Sequence, residues 1–115
     1  MAVTTIWHNP RCSKSRQTLT LLEENGHIPT IRLYLNDTPT KAEIEAVLAE
    51  LGLSPSDLLR KGEKLYKELQ LSGASEDQIL ASMVEHPVLI ERPIVLHNGR
   101  AAIGRPPEQV LALFS

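Results

Sequence analysis

Residues Pro93-Ile94-Val95-Leu96-His97-Asn98-Gly99-Arg100-Ala101-Ala102-Ile103 read PIVLHNGRAAI. Ile94 to His97 has the β-branched, apolar character of a strand. Asn98-Gly99 is the strongest short hairpin signal and turns the chain into a second strand from Arg100. Any sheet that contains this pair is partly antiparallel. Beyond it, Pro106-Pro107-Glu108 opens a final helix carrying Val110, Leu111 and Leu113.

Upstream of the hairpin the pattern is helical. Thr40 with Glu43 forms a capping box before Ile44, Val47, Leu48 and Leu51, which share one face, and Gly52 closes that helix. Ser54-Pro55 opens a short helix through Leu58 and Leu59. A second capping box, Ser75 with Gln78, precedes Ile79, Leu80, Met83 and Val84, and His86-Pro87 ends the segment. This block, from about 40 to 86, holds no strand signal and is too long for an ordinary connection.

The N-terminal third reads as strand, helix, strand. Val3 to Trp7 is β-branched and aromatic, Ser13 to Asn25 is helical with Gly26 as its stop, and Ile31 to Leu35 is a strand ending in the turn-rich NDTP. A strand–helix–strand unit favours a parallel pair with a crossover helix. The order is βαβ, a helical block, then ββα. It predicts a four-stranded mixed sheet flanked by helices in one α/β domain spanning 1–115, the order of a thioredoxin-like fold with a helical insertion.

A chain of 115 residues supports one core without metal or disulfide staples. A formal charge of -2 argues against nucleic acid or an anionic membrane as the main partner. The N-terminus lacks the pattern of a secretory leader, and no apolar run reaches membrane-spanning length. Together with a single cysteine, this predicts a cytoplasmic protein, expected to be a monomer, whose thiol stays reduced.

That cysteine lies in His8-Asn9-Pro10-Arg11-Cys12-Ser13-Lys14-Ser15-Arg16. Cys12 falls where the first strand gives way to the first helix. There, unpaired N–H groups and the helix dipole favour a thiolate. Arg11, Lys14 and Arg16 add positive charge, and His8 is placed to balance the thiolate. The plainer alternative is a buried structural cysteine, but three flanking cations argue against an apolar burial site.

Spacing removes other cysteine chemistries. A dithiol motif needs a second cysteine where Ser15 stands, and a C-x5-R phosphatase loop needs an arginine where Thr18 stands. One thiol and four scattered histidines make a poor zinc site, so no metal is expected. A single activated nucleophile in a positive pocket remains, which suits an oxyanion. Arg60, Arg92 and Arg105 recur at element junctions, and paired guanidinium hydrogen bonds suit tetrahedral anions.

The segments HNPRCSKSR, LLRKGEKLYKEL, EHPVLIERPIV and GRP together resemble the glutaredoxin-linked arsenate reductase family, over essentially the whole chain from Ile6 to Leu113. The loop around the cysteine is more basic than in familiar members, with Arg11 and Lys14 in place of small uncharged residues. The resemblance implies a thioredoxin-like fold with Cys12 as nucleophile and His8 as the histidine that lowers its pKa. It implies that Arg60, Arg92 and Arg105 bind the oxyanion with Ser15 and Arg16 close by, and, by analogy with the thioredoxin superfamily, that Arg92-Pro93 is cis. The implied activity is reduction of arsenate to arsenite, with glutathione as co-substrate, glutaredoxin as partner and no bound cofactor. The alternatives are a glutathione-dependent thiol reductase or deglutathionylase, and a non-enzymatic regulator resembling a transcription factor.

Overall fold

A computed structural model describes residues 3–114. It places β1 (Thr4–Trp7) beside β2 (Thr30–Arg32) in parallel, and beside β3 (Ile94–His97) antiparallel. Antiparallel β4 (Arg100–Ile103) completes the order β2-β1-β3-β4. The hairpin between β3 and β4 turns on Asn98 at φ 52° and Gly99 at φ 72°. Two successive positive φ values are what a type I′ turn requires, and its twist matches that of the strands. The mixed α/β sheet expected from the sequence is therefore present.

The parallel pair needs a crossover, supplied by α1 (Ser13–Glu24). Its C-terminus is satisfied by two backbone bonds, His27 N–H to Leu22 O at 2.9 Å and Gly26 N–H to Glu23 O at 3.0 Å, with Gly26 at φ 82°. This is a Schellman closure, for which glycine is the unstrained residue. Ile6 lies opposite Val95, and Val95 opposite Ala102, so the three share a sheet face. Leu22 of α1 and Val110 and Leu113 of the C-terminal segment complete the core on that face. Each fully buried large apolar side chain contributes about 1.5–3 kcal/mol.

Two expected elements differ. β2 stops at Arg32, not Leu35, because the Leu33 carbonyl accepts from Asn36 N–H at 2.9 Å and Asp37 N–H at 2.8 Å, turning the chain early. The final helix, Pro107–Phe114, is 3₁₀ rather than α. Apolar spacing over eight residues does not separate the two periods. Phe114 at its end stacks on His27 with ring centroids 3.7 Å apart.

The chain divides into two compact units, one formed by the chain up to Asp37 with the chain from Arg92, the other by Thr38–Glu91. The second contains α2 (Lys41–Leu51), α3 (Pro55–Leu58), α4 (Lys64–Glu68) and α5 (Glu76–Glu85). Both expected capping boxes form: Thr40 Oγ1 accepts from Glu43 N–H at 3.2 Å and Ser75 Oγ from Gln78 N–H at 3.2 Å, each with the reciprocal bond. Ile44, Val47, Leu48, Ile79, Leu80 and Met83 are buried. Leu59, within the block from about 40 to 86 that carries no strand signal, forms one antiparallel bridge with Ile90 just beyond it. Arg60 N–H bonds Leu89 O and Glu91 N–H bonds Leu58 O, both at 2.8 Å. A single bridge carries no run of alternating residues for the sequence to reveal.

Candidate active site

Cys12 is the N-cap of α1, with extended φ −94° and ψ 123°. Its own N–H bonds Asn9 O at 3.0 Å, closing the loop that follows β1. The N–H groups of the first helical turn have no intrahelical acceptor, and those of Ser15 and Lys14 bond the sulfur. No acidic residue occupies that turn. Cys12 is 8% exposed, so it is buried as the plainer alternative expects, yet hydrogen-bond donors reach its sulfur.

Two arginines reach the sulfur from the far end of the sequence. Arg105 lies with Nη2 3.5 Å from Cys12 Sγ, and its Nε donates to the Arg92 carbonyl oxygen at 2.7 Å. Arg92 also bonds the sulfur and acts on it by charge. Burial pushes the Cys12 thiol up, but the Ser15 N–H, the Arg92 guanidinium and the Lys14 N–H together outweigh it. The net shift is downward.

The source of positive charge differs from the sequence-based expectation. Arg11 and Lys14 are exposed, and Arg16 turns its Nη1 to the Pro10 carbonyl at 2.8 Å. The cation acting on the thiol is Arg92, distant in sequence. His8 likewise has another partner: its Nδ1 lies 2.6 Å from Ser15 Oγ, which also accepts from Asn9 N–H at 3.0 Å. Burial first, and the Arg16 charge second, lower the His8 pKa and hold the ring neutral. The His8–Ser15–Asn9 network thus shapes the loop that presents Cys12.

The Arg105 position depends on a glycine that the sequence reading passed over. A Cβ on Gly104 would collide with Thr18 Oγ1 and lie 2.8 Å from Pro93 Cγ. Gly104 N–H bonds Pro93 O at 2.9 Å and Arg105 N–H bonds Ile103 O at 2.9 Å. Only a residue without a side chain lets the end of β4 pass between α1 and Pro93, carrying Arg105 to the sulfur. The signal was its place directly before Arg105-Pro106 in GRP. Both Arg92-Pro93 and Arg105-Pro106 are cis; only the first was expected.

Arg60 belongs to the other unit. Its Nη1 lies 2.7 Å from Glu91 Oε1 and its Nε 3.2 Å from Glu63 Oε1. The structure thus brings Cys12, Ser15, Arg92 and Arg105 together in the first unit, with His8 behind Ser15.

A lone cysteine at a helix N-terminus beside two guanidiniums, on a sheet in the order β2-β1-β3-β4, defines a thioredoxin-like protein with a single thiol at its site. The chain belongs to the ArsC family, whose model matches residues 7–113. It is 46% identical to an arsenate reductase of Neisseria meningitidis over 112 residues, covering 95% of this chain and 96% of that protein. It is 53% identical over 111 residues to YfgD of Escherichia coli, an uncharacterised protein, covering 94% and 93%. Among solved structures, arsenate reductase from Vibrio cholerae superposes with a TM-score of 0.92 at 50% identity, covering 96% of this chain and 97% of that one.

Proposed function

We propose that this protein reduces arsenate to arsenite through Cys12, with glutathione and glutaredoxin as electron donors. The observation that carries the reading is the lone thiol, with its pKa lowered, in contact with Arg92 and Arg105. The resemblance to arsenate reductases across nearly the whole chain supports it.

The Cys12 thiolate attacks arsenic(V), forming an S–As bond while an arsenate oxygen leaves as water after protonation. Arg92 and Arg105 hold the remaining oxyanion and balance charge in the displacement. Arg60 joins them in this reading on the family resemblance. Glutathione then supplies the second thiol: a bond forms between its sulfur and that of Cys12, and arsenic leaves with the S–As electron pair as arsenic(III). Two thiols are oxidised to one disulfide as arsenic gains two electrons. A glutaredoxin thiol takes the glutathionyl group and releases Cys12. The chain has one cysteine, so the second and third thiols come from outside it.

The test is NADPH oxidation with arsenate, glutathione, glutaredoxin and glutathione reductase. Turnover requiring all components and lost in Cys12→Ser supports the reading. Turnover retained in Cys12→Ser, or none with the intact chain, overturns it.

A further inference from the structure

A crevice of about 390 Å³ opens where β1 and β2 end, between the loop leading to Cys12 and the turn after β2. His8, Asn9 and Arg11 line one side, Leu33, Leu35 and Asn36 the other. In parallel-stranded sheets, ligands collect beyond the carboxyl ends of the strands, and this volume falls within the usual range of small-molecule sites.

Arg11 and the Asn9 amide give it donors. Ser15 is fully buried, and its hydroxyl accepts from Asn9 N–H at 3.0 Å and lies 2.6 Å from His8 Nδ1. Asn9 turns Oδ1 to Arg11 N–H at 3.0 Å, which leaves its amide hydrogens available. Arg11 is exposed and its backbone alone is engaged there. The nearby Asp37 carboxylate lies 3.4 Å from Arg32 Nε, so the crevice itself carries a cation and no acid. Leu33 and Leu35 are each 40% exposed and supply an apolar wall.

A different groove, along α1, also begins near Cys12. It includes Ser13 and Arg16 but carries Glu24 and Glu108, which repel a peptide bearing two carboxylates.

We infer that the crevice beyond β1 and β2 binds the thiol co-substrate, a small carboxylate-bearing peptide of the glutathione type. A carboxylate faces Arg11 and the Asn9 amide, and the peptide's apolar stem rests on Leu33 and Leu35. The inference rests on the proposed use of an external thiol, but not on arsenate being the oxidant. It also gives Arg11 a role that the thiol does not: exposed and absent from the groups acting on Cys12, it recruits the reductant.

S-methylglutathione, which cannot react, is titrated into ¹⁵N-labelled protein. Amide shifts centred on His8, Asn9, Arg11, Leu33 and Asn36 support the inference; shifts centred on Ser13, Gln17 and Glu108, or no shifts, overturn it. In turnover, Arg11→Glu and Leu35→Glu raise the glutathione KM roughly three- to tenfold, with the arsenate KM and Cys12 alkylation unchanged. Glu108→Gln leaves the glutathione KM unchanged. An unaltered glutathione KM in Arg11→Glu overturns the inference while arsenate reduction stands. Mapped binding without arsenate turnover overturns the proposed reaction while the inference stands.

Discussion

The thiol of Cys12 is held between opposing effects, burial raising its pKa and Ser15 N–H, Arg92 and Lys14 N–H lowering it further. Arg92→Ala therefore moves the pH midpoint of iodoacetamide alkylation upward, while Arg11→Ala leaves it in place. Because the folded pKa is depressed, the thiolate adds stability that is complete above the unfolded thiol value and fades as pH falls through the folded one. Arg105 uses both ends of its guanidinium, Nε on the Arg92 carbonyl and Nη2 toward sulfur. Arg92→Ala and Arg105→Ala each lose charge-assisted hydrogen bonds of about 1.5–3 kcal/mol. Steady-state kinetics then show the arsenate kcat/KM falling roughly ten- to a hundredfold. Arg105→Lys rescues poorly, since a single ammonium cannot span both acceptors.

His8 has the same pH sign, in the ordinary histidine range. Its folded pKa lies below the ordinary value, so the unfolded chain binds the extra proton first. Stability falls as pH drops through the ordinary histidine range and levels off below the folded pKa. Melting temperatures of His8→Asn, which keeps a polar amide near the Nδ1 position without titrating, show a smaller loss over that interval than those of the native chain.

At the scale of elements, local signals were legible wherever neighbours in sequence settle the geometry. Asn98-Gly99 named its own turn, and Thr40 with Glu43 and Ser75 with Gln78 named their helix starts. The end of β2 was not legible, because Leu33 and Leu35 continue the strand pattern and only the bonds to the Leu33 carbonyl show the turn. The approach of β4 to α1 was hidden for a related reason: Gly104, Thr18 and Pro93 lie far apart in the chain. Gly104→Ala forces the Thr18 side chain and the Pro93 ring apart, costing about 1–3 kcal/mol, the range for overpacking a filled site. Chemical denaturation reads that loss, and slower Cys12 alkylation accompanies it as Arg105 shifts.

Across the whole molecule, the element order from βαβ through a helical block to ββα carried the fold, because four strands in that order leave few ways to form one mixed sheet. The nucleophile was equally legible, as the only cysteine at a strand–helix junction. Its electrostatic partner was not, since flanking Arg11, Lys14 and Arg16 looked closer than Arg92, eighty positions away. Arg92 and Arg105 stood out only by their places at element junctions and by the family resemblance, and the fold brings both to the sulfur; Arg60 is held by Glu63 and Glu91 in the second unit. No described helix is long and apolar enough to cross a membrane.

The chemistry proposed for this chain depends on Cys12 as the sole protein thiol, passing through a mixed disulfide with an external one. Intact-mass analysis after incubation with arsenate and glutathione, without glutaredoxin, measures that state. One glutathionyl group is expected, located on Cys12, formed only when arsenate is present and much reduced in Arg92→Ala and Arg105→Ala. An unmodified chain accompanied by arsenite production, or equal modification without arsenate, would contradict it.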